Sequence, residues 1–315
     1  MVRDRIAEIG EIRSRKGKYG SKYRAEQTIT SCHRKVFDGD PATDLEYIPI
    51  RLVTALEVFI RECVADLVDS GEPYISRIKS LVKILRFDFE LTKSLIDKKV
   101  SFGELISHVI SVNSISDIDS IVSELTDSTL TNFLDGVTER WNVEVLGEPP
   151  VPIIPDVNAV KATLQRLFEV RHVLVHELPE QPPFQDAEAR DFAAASLDFT
   201  RAMREKVDML IFSRYALTQL EMNEEAKVSA ETTDKILSSR LQMIDPKGKD
   251  SRFQAAQQGW EAFRGNEATF VSRMDMNRVE RGSIAPLIYW SSWEKLTRDR
   301  IDWISNHLGD EHSTE

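Results

Sequence analysis

Pro49-Ile50-Arg51-Leu52-Val53-Thr54-Ala55-Leu56-Glu57-Val58-Phe59-Ile60-Arg61-Glu62-Cys63-Val64-Ala65-Asp66-Leu67-Val68-Asp69 is the stretch that decides the fold class. With Leu56 as origin and about 100° per residue, Leu52, Val53, Phe59, Ile60, Cys63 and Leu67 fall in one stripe, as in a helix laid on a core. Pro49 suits the first turn, where no amide donor is needed. The helical period recurs on both sides and no set of alternating strands appears, so an all-α protein is expected. Shorter helices are predicted around residues 73–97, 101–112, 115–125 and 128–142, punctuated by Gly71, Gly103 and the Asn113-Ser114 step. Four prolines between Gly147 and Pro155 exclude a helix there. Asp156 then N-caps a helix from Val157 to about Glu177, stopped by Pro179, Pro182 and Pro183. Another long helix is expected from Ala187 to Gln219. The acidic run Glu221 to Asp234 reads as a domain boundary, before a second helical unit at about residues 228–310.

With 315 residues, 41% of them hydrophobic, the chain can bury a sizeable core in one large domain or two ordinary ones. Apolar runs such as Leu52 to Ile60 fall well short of the roughly 20 residues that span a bilayer. Met1 to Arg5 lead into no apolar block of the secretory kind. No membrane association and a cytoplasmic location are therefore expected. Cys32 and Cys63 form no CxxC pair and no Cys/His cluster, and phosphate-loop, dinucleotide and zinc-protease motifs are missing, so no metal and no cofactor is expected. The net charge of −11 argues against a general nucleic-acid coat protein. It is unevenly spread: residues 1–35 carry ten Lys/Arg against four Asp/Glu, a net of +6, which leaves −17 on the other 280. In a basic arm over residues 1–40, Arg13, Arg15, Lys16, Lys18, Lys22 and Arg24 interleave with Tyr19 and Tyr23, a composition suited to following an RNA backbone while stacking a base. The alternative for the same residues is a solvated, flexible terminus.

In the helix that starts at Val157, Val160, Leu164, Leu167, Phe168, Leu174 and Val175 lie within about 60° of one meridian, and Arg171 is at its centre. A guanidinium on an apolar stripe needs a paired carboxylate or a role at an interface, because burying it alone costs several kcal/mol. His172 and His176 are one turn apart on the adjoining face, about 100° and 140° from Arg171. On a regular helix Arg171 and His176 cannot aim at one atom, so a joint site needs two copies or a distorted helix end. Glu57, beside the apolar stripe of the first helix, either orients Arg171 or pairs with Arg61 at i, i+4.

Arg171-His172-Val173-Leu174-Val175-His176 resembles the R-x(4–6)-H signature of HEPN domains, with the polar residue directly after the arginine. The resemblance extends over about residues 40–220, taking in Arg51 to Arg61 and Ser101-Phe102-Gly103-Glu104-Leu105-Ile106. It implies a HEPN-like helical bundle at residues 41–220 that pairs as a homodimer, with arginines and histidines of both copies lining one cleft that cuts RNA without a metal. It also implies an endoribonuclease of toxin or phage-defence type, leaving a 2′,3′-cyclic phosphate and a 5′-OH. Side-chain chemistry agrees: histidine titrates near neutral pH and moves protons, whereas arginine stays charged and grips phosphate oxygens. On that reading His176 transfers the proton, Arg171 stabilises the phosphate, and His172 and Glu57 assist in positioning. The alternative is a non-catalytic HEPN-like module for dimerisation and protein binding.

Gln257 to Arg264, Gly282 to Leu287 and Leu296 to Arg300 resemble the small helical domain of LprI-type lysozyme inhibitors. Phe253, Ala256, Trp260 and Phe263 are spaced as a helical stripe on a core, which gives Trp260 a structural role. Extracytoplasmic members usually carry cysteines, where Ala268 and about Ser292 stand here, as suits a reducing compartment. The unit is therefore expected to bind a protein partner or trigger. A further alternative is an inhibitor that acts through it.

Overall fold

A computed structural model of the chain describes residues 5–15, 20–39, 45–78, 89–97, 100–177, 179–212, 215–273 and 282–308. The protein is all-α: among these residues there is no strand, and one isolated bridge joins Thr138 and Pro152. The chain divides into two compact units, Met1–Tyr215 and Ala216–Glu315.

The N-terminal unit comprises α1 (Arg5–Arg15), α2 (Gly20–Phe37), α3 (Tyr47–Asp69), α4 (Tyr74–Arg77), α5 (Phe89–Ile96), α6 (Phe102–Val109), α7 (Ile115–Thr126), α8 (Leu130–Leu134), a π-turn (Trp141–Val145), α9 (Val157–His176) and α10 (Asp186–Phe212). Helix α3 is its axis, packed on α2, α6, α9 and α10. All seven residues of the stripe expected there, Leu52 to Leu67, are buried. Because helices surround it, Ala55, Val64 and Val68 are buried as well. Full burial of a Leu, Ile or Phe stabilises by about 1.5–3 kcal/mol each, so this helix carries much of the unit's hydrophobic stabilisation.

Gly103 is no breaker but part of α6. A Cβ there would lie 2.3 Å from the carbonyl oxygen of Ala65 and 2.7 Å from the Asp69 carboxyl carbon, so the glycine lets α6 lie directly on α3. Asp69 accepts from the Gly103 amide at 2.7 Å and the Ser101 hydroxyl at 2.6 Å, and Ser101 with Glu104 forms a capping box. The helix expected over 128–142 stops at Leu134, where Gly136 turns with φ +67°. Within the expected 73–97 helix, residues 79–88 lie outside the described residues.

The expected helix 187–219 ends at Phe212, and α11 (Gln219–Ile244) begins afresh. Thr218 accepts from the Glu221 amide while Glu221 accepts from the Thr218 amide, a reciprocal cap that fixes the new start. The acidic run Glu221 to Asp234 is thus helix interior, not a connector. With α11, α12 (Ser251–Ser272), a 3-10 turn (Gly282–Ile284) and α13 (Ala285–Leu308) complete the C-terminal unit. No helix among the described residues is long and apolar enough to cross a membrane.

Candidate functional site

Asp156 accepts from the Ala159 amide at 3.0 Å and starts α9, which stays regular as far as His176. The buried residues of α9 are Val157, Leu164, Leu167, Phe168 and Val170; Val160 and Leu174 pack at the edge, and Val175, at the helix end, is exposed. Arg171 belongs to the buried side but is only half-buried. Its Nη2 is 3.8 Å from Glu57 Oε1 on α3. Its Nε is sealed from solvent and, among the described residues, has no hydrogen-bond partner. The i, i+4 alternative for Glu57 is not what Arg61 does with its guanidinium: Nη1 donates to the Ser107 carbonyl at 2.7 Å and ties α3 to α6. Burial pushes the Glu57 carboxyl above the ordinary carboxylate range, against the pull of Arg171 and then Arg61. Burial likewise lowers Arg61, with Glu57 opposing.

The rings of His172 and His176 are tilted by 49° at 4.7 Å between centres, both exposed. The site residues therefore form two pairs, Arg171 with Glu57 and His172 with His176. With α9 undistorted, Arg171 and His176 are about 7.5 Å apart along the axis and about 140° around it. No group of three or more His, Cys, Asp or Glu is arranged to hold a metal among the described residues.

Within the basic arm, Gly20–Phe37 form α2, a core helix that buries Ala25, Ile29, Cys32 and Val36. Arg13 forms an ion pair with Glu104 on α6. Lys22 bridges Asp66 on α3 at 2.9 Å and Asp208 on α10 at 3.6 Å. Burial works against the Lys22 ammonium, but Cys63, Asp66 and Asp208 outweigh it and its pKa is raised. Cys63 is pushed up to about 12 by burial, so it is a neutral thiol there and the pull on Lys22 at neutral pH comes from the two carboxylates. Arg15 pairs with Glu11 at 3.3 Å, and Arg24 is exposed. Lys16 and Lys18 lie outside the described residues. Sequence reasoning missed Arg51, Lys35 and Tyr47, which face the same surface as Arg24; the signal was the stripe Tyr47, Arg51, Thr54, Val58 left over on α3 once its apolar residues are placed.

In the C-terminal unit the expected core stripe of α12 holds only in part: Phe253 and Trp260 are half-buried, but Phe263 is 52% exposed and Ala256 is exposed, whereas Gln257, Arg264, Ala268 and Ser272 face inward. Arg264 lies between two indoles, its Cζ 3.8 Å from the Trp293 ring centre and 4.7 Å from that of Trp260. Its Nη1 donates to Asp234 Oδ1 at 2.5 Å and Thr297 Oγ1 at 2.8 Å. Trp293 Nε1 donates to the other Asp234 oxygen at 2.9 Å. One carboxylate of α11 thereby holds α12 and α13 together, and a desolvated cation on aromatic faces adds about 2 kcal/mol. Arg300 repeats the pattern between Trp260 and Trp303, at 5.7 and 4.9 Å, and burial lowers its pKa.

No curated protein and no solved structure gives a significant match to the chain. Residues 213–304 match the family model described as Lysozyme inhibitor LprI, so the segment that contains α11, α12 and most of α13, with Arg264 and Thr297 buried and Trp260 and Arg300 half-buried, carries an LprI domain.

Proposed function

We propose that the N-terminal unit is a HEPN-type endoribonuclease, working without a metal and as a pair of copies. The observation that carries this reading is the end of α9, where a half-buried arginine, oriented by Glu57, stands beside two solvent-facing histidines. An undistorted helix keeps Arg171 and His176 of one copy from converging, so a cleft using both draws them from two. In the reaction the ribose 2′-oxygen bonds to the adjacent phosphorus as the bond to the 5′-oxygen breaks. His176 takes the 2′-OH proton or delivers one to the departing 5′-oxygen, Arg171 neutralises charge on the non-bridging oxygens, and His172 steadies its neighbour. The products are a 2′,3′-cyclic phosphate and a 5′-OH. Proton transfer of this kind contributes about 10²–10⁴-fold. Such an activity suits a toxin or phage-defence effector, with the C-terminal unit receiving a protein partner or trigger.

A second reading, a non-catalytic dimerisation platform, is favoured by the partial neutralisation of Arg171 by Glu57. A third, inhibition of a cell-wall hydrolase, rests on the family match of residues 213–304, in a unit that contains no cysteine. Cleavage of a mixed RNA pool in EDTA, by the parent protein and by His176→Ala, separates them. The expected result is cutting by the parent alone, with cyclic phosphate ends and a loss of at least about 100-fold in the variant. Equal cutting by both proteins overturns the mechanism, and a folded dimer that cuts nothing favours the platform.

A further inference from the structure

Two adjoining hollows run along the junction of α2 and α3. The first, about 280 Å³, opens between α1, α2 and α3 and includes Arg15, Arg24 and Arg51. The second, about 330 Å³, shares Arg24, Thr28 and Arg51 with it and adds Lys35, Tyr23 and Tyr47. Together they form one furrow, and among the described residues no Asp or Glu lines it. That is unexpected in a chain of net charge −11. Many described cations of this unit are tied to carboxylates, as Arg13, Arg15, Lys22, Arg77, Lys161, Arg166, Arg201 and Arg204 are. Arg24, Lys35 and Arg51, all exposed, have no carboxylate in ion-pair range among the described residues. Unpaired like charges along a furrow repel one another, and a polyanion relieves that repulsion.

The aromatic groups narrow the choice of polyanion. Tyr23 is 46% exposed and Tyr47 53% exposed, and the Arg51 guanidinium lies 5.8 Å from the Tyr47 ring centre. Cations that track a backbone beside an exposed aromatic ring, as Arg51 stands beside Tyr47, are the arrangement that holds single-stranded nucleic acid; in a duplex the base faces are hidden by stacking. From Ser21 to Lys35 the α2 wall is about 21 Å long, enough for a few nucleotides. The furrow and the candidate site share helix α3. Thr54 lines the furrow, and Glu57, three residues on along the same helix with Cβ atoms about 5–6 Å apart, is the partner of Arg171.

We infer that the α2/α3 furrow is the binding track for a single RNA strand, with Arg24, Lys35 and Arg51 on its phosphates and Tyr47 on a base. This deepens the ribonuclease reading by saying where the substrate lies, and it is tested apart from cleavage. The probe is a fluorescent 2′-O-methyl oligouridylate, which has no 2′-OH to attack, titrated into the full chain by anisotropy at several salt concentrations. Binding should weaken with salt at a log–log slope of about −2 for three phosphate contacts. Arg24→Ala with Arg51→Ala should cut affinity at least about tenfold and lower that slope by about two thirds, while Tyr47→Ala should weaken binding about tenfold with the slope unchanged. Circular dichroism melts confirm that each variant folds. No binding by the parent, variants that bind as the parent does, or displacement of the RNA by an equal charge of polyglutamate would each overturn the proposal. If the variants lose binding but the parent cuts no RNA, the track stands and the ribonuclease reading falls; if the parent cuts and the variants bind and cut equally well, the reverse holds.

Discussion

Helix α3 fills the N-terminal unit with Leu52, Leu56, Phe59 and Ile60, each at most 1% exposed, whereas α12 turns Gln257, Arg264, Ala268 and Ser272 to the interior of the C-terminal unit. The first arrangement excludes water from apolar area, which is non-directional and scales with the area removed. The second depends on directional bonds around Asp234, and deleting one partner leaves a charge without its counter-ion. An apolar interior accepts a side chain of similar volume; a bonded one does not.

Three substitutions probe that contrast, in order of expected effect. Phe59→Ala should cost the N-terminal unit about 3–5 kcal/mol, the lost transfer energy plus the cavity it leaves. Urea titration read by hydrogen exchange of α3 peptides measures it, and a loss below about 1 kcal/mol would show that the core is not anchored on that ring. Arg264→Leu puts an apolar side chain into an interior and should nonetheless cost about 2–3 kcal/mol, because Asp234 and both indoles lose their cation. Four of the five tryptophans belong to this unit, so fluorescence follows its unfolding. A neutral or stabilising outcome would reduce the Asp234 network to replaceable filling. The smallest change concerns Glu57. Its folded pKa is raised above the ordinary 4.5, so the native state keeps a proton that the unfolded chain has released, and stability falls as pH rises through that interval. Glu57→Gln should remove this fall, which unfolding free energies from about pH 4 to 7 would register; parallel curves for the two proteins would contradict the assignment.

The same contrast explains what the amino-acid sequence made legible. Helix α3 could be read residue by residue because hydrophobic periodicity reports burial directly when burial is the organising force. Asp156, with a single local bond to make, marked the start of α9 equally well. Periodicity failed on α12, where aromatic residues with their faces in water, such as Phe263, imitate a core stripe and an arginine is the true interior residue. It failed too at Thr218, whose capping partner lies three residues on and carries no apolar signal. Of the residues singled out for chemistry, Arg171 and Glu57 do meet across two helices, a pairing that spacing alone left open. In the basic arm, the partners of Arg13 and Lys22 were not legible, because their carboxylates come from Glu104, Asp66 and Asp208, distant in the chain.

Gly103 has an evolutionary consequence. With the Ala65 carbonyl where a methyl group would go, this position accepts no side chain unless two helices move apart. Among descendants of this chain it would stay glycine under selection for fold alone, next to a serine and a glutamate held by the same cap. An invariant cluster there would look like a motif with a chemical task, and its invariance would record only the distance between α3 and α6.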